Sequence, residues 1–213
     1  MRRVHVDPGA PQRDAIAEAA KWIVQGRVVA IPTDTLYGLA VDPFRADAVA
    51  RAFEVKGRAV ERALPLIAAD VAQITLQIGA LSPLAQQLAD RYWPGPLTML
   101  LPAPPSLAAD VSAGTGAVGV RVPAHEIARA ICAACGRVVT ATSANTSGMP
   151  ATASPDAVEE TLGGRIDFLL DAGPSPGGPP STIVDVTSAE PRLVRAGAIS
   201  WDEIQRWLQT VRA

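Results

Sequence analysis

Three short stretches hold most of the side chains in this chain that could do chemistry. "AIPTDTLYGL", residues 30–39, leaves an apolar run and at once sets down Thr33, Asp34, Thr35 and Tyr37. "VKGRAVERALPL" puts Lys56 and Arg58 between a helical pattern and an apolar strand, with Glu61 the only acid close by. "TATSANTSGMP", residues 140–150, ends a strand pattern in small hydroxyl and amide side chains. Each stretch alone reads as a loop. Together they supply cations, hydroxyls and amides at three strand ends, an inventory suited to a phosphorylated ligand. Strand ends are also where α/β proteins place their ligands. Lysine usage adds weight to one position. Only Lys21 and Lys56 are lysines and the other seventeen basic residues are arginines, so Lys56 marks a place where a compact ammonium suits the site.

The elements that must position these residues alternate along the chain. Asp14 to Gln25 has an amphipathic helical pattern closed by Gly26, and "RVVAI" follows as a buried strand. "ADAVARAFEVKG" is a second helix stopped by Gly57, "ALPLIAA" a strand, and "SPLAQQLADRYW" a helix with a Ser cap and Pro in its first turn. "LTMLL", "AVGVRV" and "RVVTAT" are strands, the last two flanking the helix "AHEIARAICAAC". "SPDAVEETLGG" is a capped helix, "IDFLLD", "STIVDV" and "RLVRA" are strands, and "SWDEIQRWLQTV" opens with a capping box of Ser200 and Glu203. "GPSPGGPP", residues 173–180, predicts a mobile loop. The class is therefore α/β with mixed strand directions.

Several other motifs carry nothing. "GTGAVG", Gly114 to Gly119, fits a dinucleotide fingerprint by spelling, but such glycines must open a helix and these run into a strand. A glycine-rich turn, whose amides could still face a ligand, is the better account. Cys132 and Cys135 lie near the end of a helix, away from the N-terminal position that activates a thiol, and read as core residues. His125 has no second His four residues on, so there is no zincin motif, two histidines in all speak against histidine-based catalysis, and no metal site is predicted. The net charge of −2 gives no global basic field for nucleic acid. The N-terminus lacks a signal-peptide core, no apolar run is long enough for a membrane helix, and two cysteines suit a reducing, cytoplasmic setting.

"PTDTLYGL", "KGR…ALPL", "RYWPGPLTMLL", "VGVRVPAH", "TSANTSG", "STIVDV" and "VRAGAIS" follow one another from about Arg13 to Ser200. In this order they resemble the YrdC-like family. The resemblance implies a single YrdC-like catalytic domain over residues 1–213, the short form with no additional C-terminal domain. Its fold would be a twisted mixed sheet with flanking helices, curved around a deep, positively lined cavity. It implies an enzyme that joins L-threonine, bicarbonate and ATP, with Mg2+ expected beside the nucleotide, into L-threonylcarbamoyladenylate and pyrophosphate. That product feeds N6-threonylcarbamoyladenosine at position 37 of tRNA through a downstream transfer complex. By the same resemblance Lys56, Arg58, Ser143 and Asn145 surround the phosphates and are the catalytic set. Arg62, Arg195 and the backbone at Ala117 also face ATP, and Thr35, Arg121, Ala141 and Ser181 surround threonine, with Tyr37 as a wall. This chain departs from the family pattern at Ile67, where many members have a histidine, and at Ala59, where several have a proline.

Two other functions compete with the enzyme. An RNA-binding module would use an arginine-lined concavity for weak contact with tRNA or double-stranded RNA, against a net charge of −2. A carbamoyl-transfer domain of the hydrogenase-maturation type shares the fold, but it sits among zinc-finger and acylphosphatase segments that are absent from these 213 residues. Arg121 poses the sharpest question. The alternation in "VGVRV" puts Val118, Val120 and Val122 on one face and Gly119 and Arg121 on the other. A buried arginine needs a partner: either a structural acid, or a substrate carboxylate that would leave Arg121 solvated when absent.

Overall fold

The computed structural model describes residues 1–57 and 63–212. In chain order it runs β1 (Arg2–His5), α1 (Arg13–Val24), β2 (Val29–Ile31), β3 (Gly38–Ala40), α2 (Ala46–Lys56), β4 (Leu66–Ile67), α3 (Val71–Gln77), α4 (Pro83–Tyr92) and β5 (Leu97–Pro102). A single 3-10 turn, Ala109–Val111, precedes β6 (Ala117–Arg121). Then come α5 (Glu126–Cys135), β7 (Val139–Thr140), β8 (Thr142–Ser143), α6 (Pro155–Leu162), β9 (Phe168–Asp171), β10 (Thr182–Asp185), β11 (Arg192–Arg195) and α7 (Trp201–Arg212).

The mixed α/β class holds, but the strands form two sheets. One has the order β1-β9-β2-β3-β8 and the other β11-β10-β5-β6-β4-β7, each with parallel and antiparallel pairs. The sequence pattern "RVVTAT" reads as one strand and is in fact cut at Ala141. Its first half, β7, pairs with β4 in the six-stranded sheet, and its second half, β8, pairs with β3 in the five-stranded one. Thr140 spans the join. Its hydroxyl accepts from Val41 N–H at 2.9 Å and donates to the Leu39 carbonyl at 3.2 Å, while Ala141 N–H turns to Pro65 O at 2.8 Å.

Burial follows strand parity. On β9, Phe168 and Leu170 pack with α1 and α5, whereas Leu169 points to the other core with Ala30 of β2 and Leu39 of β3. Strands buried on both faces have no polar alternation, which is why "VVAI" and "FLL" look alike on both sides. On the six-stranded sheet Val118 and Val120 enter the core and Gly119 and Arg121 face away, as the alternation predicts. Cys132 and Cys135 are buried thiols on α5, the first against Ile67 O of β4 and the second against Ala20 O of α1. Burial pushes both thiols up, Cys135 to about 12, so they are core residues.

Local signals set the ends of the helices. Gly57 takes a left-handed conformation, φ 56°, and returns its N–H to Glu54 O, closing α2 directly after Lys56. Ser82 and Ser154 each cap a helix that starts with Pro. Ser200 Oγ accepts from Glu203 N–H at 3.2 Å, half of the predicted box. Gly114 and Gly116, both at φ 72°, form a turn into β6 and open no helix.

Candidate functional site

A cavity of about 650 Å³ lies between the two sheets. The six-stranded sheet supplies its floor through one face: Thr98 and Leu100 of β5, Gly119 and Arg121 of β6, Ile183 of β10 and Arg195 of β11. Register fixes this arrangement, since Arg195 pairs with Ile183, Ile183 with Thr98, and Leu100 with Gly119. The opposite wall comes from the 33–38 segment and from Ala141, Thr142 and Ser143 at the β7–β8 break. Breaking that strand is what lets both sheets contribute to one cavity.

At one side stand the lysine and the S-x-N pair. Lys56 is the last residue of α2 and only 2 % exposed. Its ammonium donates to Ser143 O, and to Asn145 O and Oδ1 at 3.0 and 3.1 Å. Ser143 Oγ bonds Asn145 Oδ1, and Asn145 Nδ2 donates to Met149 O. Ser143 lines the cavity, with Lys56 and Asn145 directly behind it. Arg58 and Arg62, expected to complete this cradle, lie outside the described residues.

Arg121 has an acidic partner. Its Nη1 donates to Asp34 Oδ1 at 2.8 Å, and the other Asp34 oxygen accepts from Ala124 N–H at 3.1 Å. The arginine is therefore not left to solvent in the empty cavity, as the substrate-clamp alternative anticipated. It is paired and also faces the cavity. Burial lowers the affinity of the guanidinium for its proton, and Asp34 works against that shift.

Arg195 donates from Nη2 to Ser181 O at 2.7 Å and to Ser181 Oγ at 3.2 Å; Ser181 Oγ lies 2.8 Å from Thr98 Oγ1. Burial, and then the positive charge of Arg121, shift the Arg195 guanidinium down as well. Two cations thus feel one another across the same space. Asp34 stands behind Arg121, and no carboxylate is among the described residues of the lining. Such a field favours an anion.

The lip of the cavity is the threonine-rich turn. Thr33 Oγ1 donates to Leu36 O at 2.7 Å, accepts from Thr35 N–H, and lies 3.2 Å from Thr35 Oγ1. Tyr37 is fully buried in the wall, and its hydroxyl donates to Gly173 O at 2.7 Å and accepts from Ala172 N–H. Burial pushes this phenol to about 12. Gly177 N–H donates to Thr35 O and Ser175 N–H to Ala153 O. The 173–180 segment, predicted to be mobile, is thus tied to the lip by backbone hydrogen bonds.

The structure brings Thr35, Arg121, Ala141, Ser143, Ser181 and Arg195 into one lining, with Lys56 and Asn145 in contact with it. Ala117 does not line the cavity; it begins β6, two same-face positions before Arg121. Ile67 does line it, beside its register partner Arg121. Sequence reasoning missed Asp34 as the arginine's partner, and also Thr98. Thr98 carried a signal, being the one polar residue within "LTMLL".

The fold and site define an α/β protein with an anion-attracting cavity between two mixed sheets. Residues 21–197 match the Sua5/YciO/YrdC family, described as "Telomere recombination", and the chain belongs to it. Threonylcarbamoyl-AMP synthase from Pyrococcus abyssi is 37% identical over 194 residues, 91% of this chain and 57% of that protein. A putative threonylcarbamoyl-AMP synthase from Mycobacterium leprae is 36% identical over 97% of this chain and 93% of its own length. The solved structure of P. abyssi Sua5 complexed with L-threonine superposes with a TM-score of 0.92 at 35% identity, covering 97% of this chain and 60% of that one. The chain thus spans little more than half the length of the P. abyssi protein. Among the described residues no helix is long and apolar enough to cross a membrane.

Proposed function

We propose that this chain is an L-threonylcarbamoyladenylate synthase acting in the cytoplasm as one catalytic unit. The observation that supports it most is that one cavity collects residues from six separated motifs: Thr35, Leu66, Arg121, Ser143, Ser181 and Arg195. The names that the P. abyssi and M. leprae relatives carry support the same reading. Threonine's amine and bicarbonate condense with loss of water to a carbamate. A carbamate oxygen then attacks the α-phosphorus of ATP, and the bond to the pyrophosphate oxygen breaks. Both reactants are anions, so the site must offset their repulsion and align them.

In this reading the N–H groups of Arg121 not held by Asp34 take the threonine carboxylate, with Thr35, Ser181 and the Ala141 backbone around it. Lys56, Ser143 and Asn145 hold the phosphates with Arg58, and Arg62 and Arg195 add charge on the nucleotide side. Catalysis is positioning plus charge stabilisation, with no covalent nucleophile. Mg2+ would accompany the nucleotide. The adenylate is then passed to a tRNA-modifying transfer complex. Pyrophosphate release is measured with ATP, Mg2+, bicarbonate and L-threonine, each of the last two omitted in turn. Release should need both, and release that continues unchanged without threonine overturns the assignment.

A further inference from the structure

Gly119 is a glycine whose backbone does not ask for one. It sits inside β6 with φ outside the left-handed region, between Val118 and Val120, which are both fully buried. A glycine within a strand weakens it by loss of chain entropy and side-chain packing, and it commonly marks close approach of a ligand or another backbone. No other backbone crosses it here. A Cβ built at Gly119 would meet only side-chain atoms: Thr98 Cγ2 at 3.1 Å, Leu100 Cδ2 at 3.5 Å and Pro65 Cβ at 3.9 Å. Beyond those atoms lies the cavity, which Gly119 lines next to Arg121.

The other sheet does the same. Gly38 of β3 lines the cavity, has no left-handed φ, and pairs in register with Ser143. A Cβ there would meet nothing closer than Thr142 O at 3.5 Å. Each sheet therefore presents one bare stretch of backbone to the cavity, and the two stand beside the two functional poles, Arg121 and Ser143. Same-face residues on a strand are about 7 Å apart, so Gly119 lies one step from Arg121 on the side away from the strand end.

We propose that Gly119, with Gly38 opposite, keeps open the slot in which the two ligands meet. The carbamate arm of the amino acid would lie against the bare β6 backbone while it reaches the nucleotide. This rests on the synthase reading above. It makes Gly119 a positioning residue that limits the size of the reacting arm and binds no charge itself.

The test uses Gly119→Ala, Gly38→Ala, Thr98→Ser, and Gly119→Ala combined with Thr98→Ser, which removes the Cγ2 atom nearest the new methyl but keeps the hydroxyl. Pyrophosphate release, melting temperature and the binding of L-threonine and of ATP separately are measured for each. Gly119→Ala should lose roughly a hundredfold in turnover, the scale for displacing reactants by about 1 Å, while melting within a few degrees of the parent and still binding each ligand alone. Thr98→Ser should not restore it. Parent-like turnover in Gly119→Ala, or recovery in the double variant relative to Thr98→Ser alone, overturns the proposal and assigns the glycine to packing. If Gly119→Ala fails to fold, Gly38→Ala decides, and normal turnover there overturns it. A parent protein that binds neither ligand and releases no pyrophosphate overturns the synthase reading first, which separates the two failures.

Discussion

Arg121 is buried and charged, and Asp34 is what makes that tolerable. Removing one member of a buried, hydrogen-bonded pair strands the other, at a cost of about 3–5 kcal/mol. Asp34→Ala should therefore lower stability by that order in urea unfolding. The structure also turns an either-or question into a joint one, because Arg121 has a structural partner and still lines the cavity. Arg121→Ala should both destabilise the protein and raise KM for threonine. The double variant separates the two contributions: with neither charge left behind, stability should recover in part while KM for threonine stays high. A double variant with parental KM would remove Arg121 from the amino-acid site. Lys56 makes a simpler case. Lys56→Ala should cut turnover by roughly a hundredfold or more, the scale for losing one charge-stabilising group. Lys56→Arg should also be poor, since a planar fork cannot reproduce three short bonds from one ammonium. Near-parental rates in either would exclude it from the phosphate cradle.

At the scale of elements, Gly57 links local geometry to the site. Its left-handed φ of 56° ends α2 so that Lys56, the last helical residue, reaches Ser143 and Asn145. A side chain there costs about 1–2 kcal/mol, and Gly57→Val should show that loss in unfolding together with a fall in turnover beyond what stability explains. Turnover unchanged in a folded Gly57→Val protein would show that the cap does not position Lys56. Such ends were legible because they depend on single residues: Gly57, Ser82 before Pro83, and Ser154 before Pro155. Three elements were not read at all. β1 is "RRVH", whose arginines hide it. The second, β3, is "GLA", too short to show a period. In α3 the cap Asp70, which accepts from Gln73 N–H at 2.7 Å, was lost inside the apolar run "ALPLIAADVA". The cut at Ala141 was equally invisible, because "RVVTAT" satisfies strand propensity throughout and only tertiary pairing splits it. For the same reason the motif residues of the site could be named from the sequence. The Asp34–Arg121 pair, 87 residues apart, could not.

Across the whole molecule, two quantities report on how the parts hold together. The first is alkaline stability. Folding raises the Cys135 thiol from 9.0 to about 12, the Cys132 thiol in the same direction, and the Tyr37 phenol from 10.0 to about 12, all through burial. Each native group keeps its proton where the unfolded chain would release it. Their contribution is complete below pH 9 and is lost as pH climbs towards 12. Chemical denaturation should show stability falling across that window, with Cys132→Ala/Cys135→Ala falling less steeply. Equal slopes would show that the thiols are not what titrates.

The second quantity is the response to ligands, because the cavity is where the two sheets meet without a continuous backbone ladder. Its floor is the six-stranded sheet, and its far wall is the Thr35 turn with Ser143 of the five-stranded one. A ligand touching both walls binds only the assembled arrangement and stabilises it by mass action, by about 2.7 kcal/mol at a hundred times its Kd. For a chain of this size each kcal/mol raises the melting temperature by about 2–4 °C, so L-threonine and ATP at that concentration should each shift it by roughly 5–10 °C. The arginines divide that shift. Arg121→Ala should abolish the part due to threonine and keep the part due to ATP, and Arg195→Ala should do the reverse. Because Arg121 and Arg195 feel one another's charge across the cavity, an anion on one lowers the positive field at the other, and charge alone should make the joint shift smaller than the sum of the single ones. A joint shift equal to that sum would mean that the two poles act independently, and one above it that closure of the two walls around both ligands outweighs the repulsion between them.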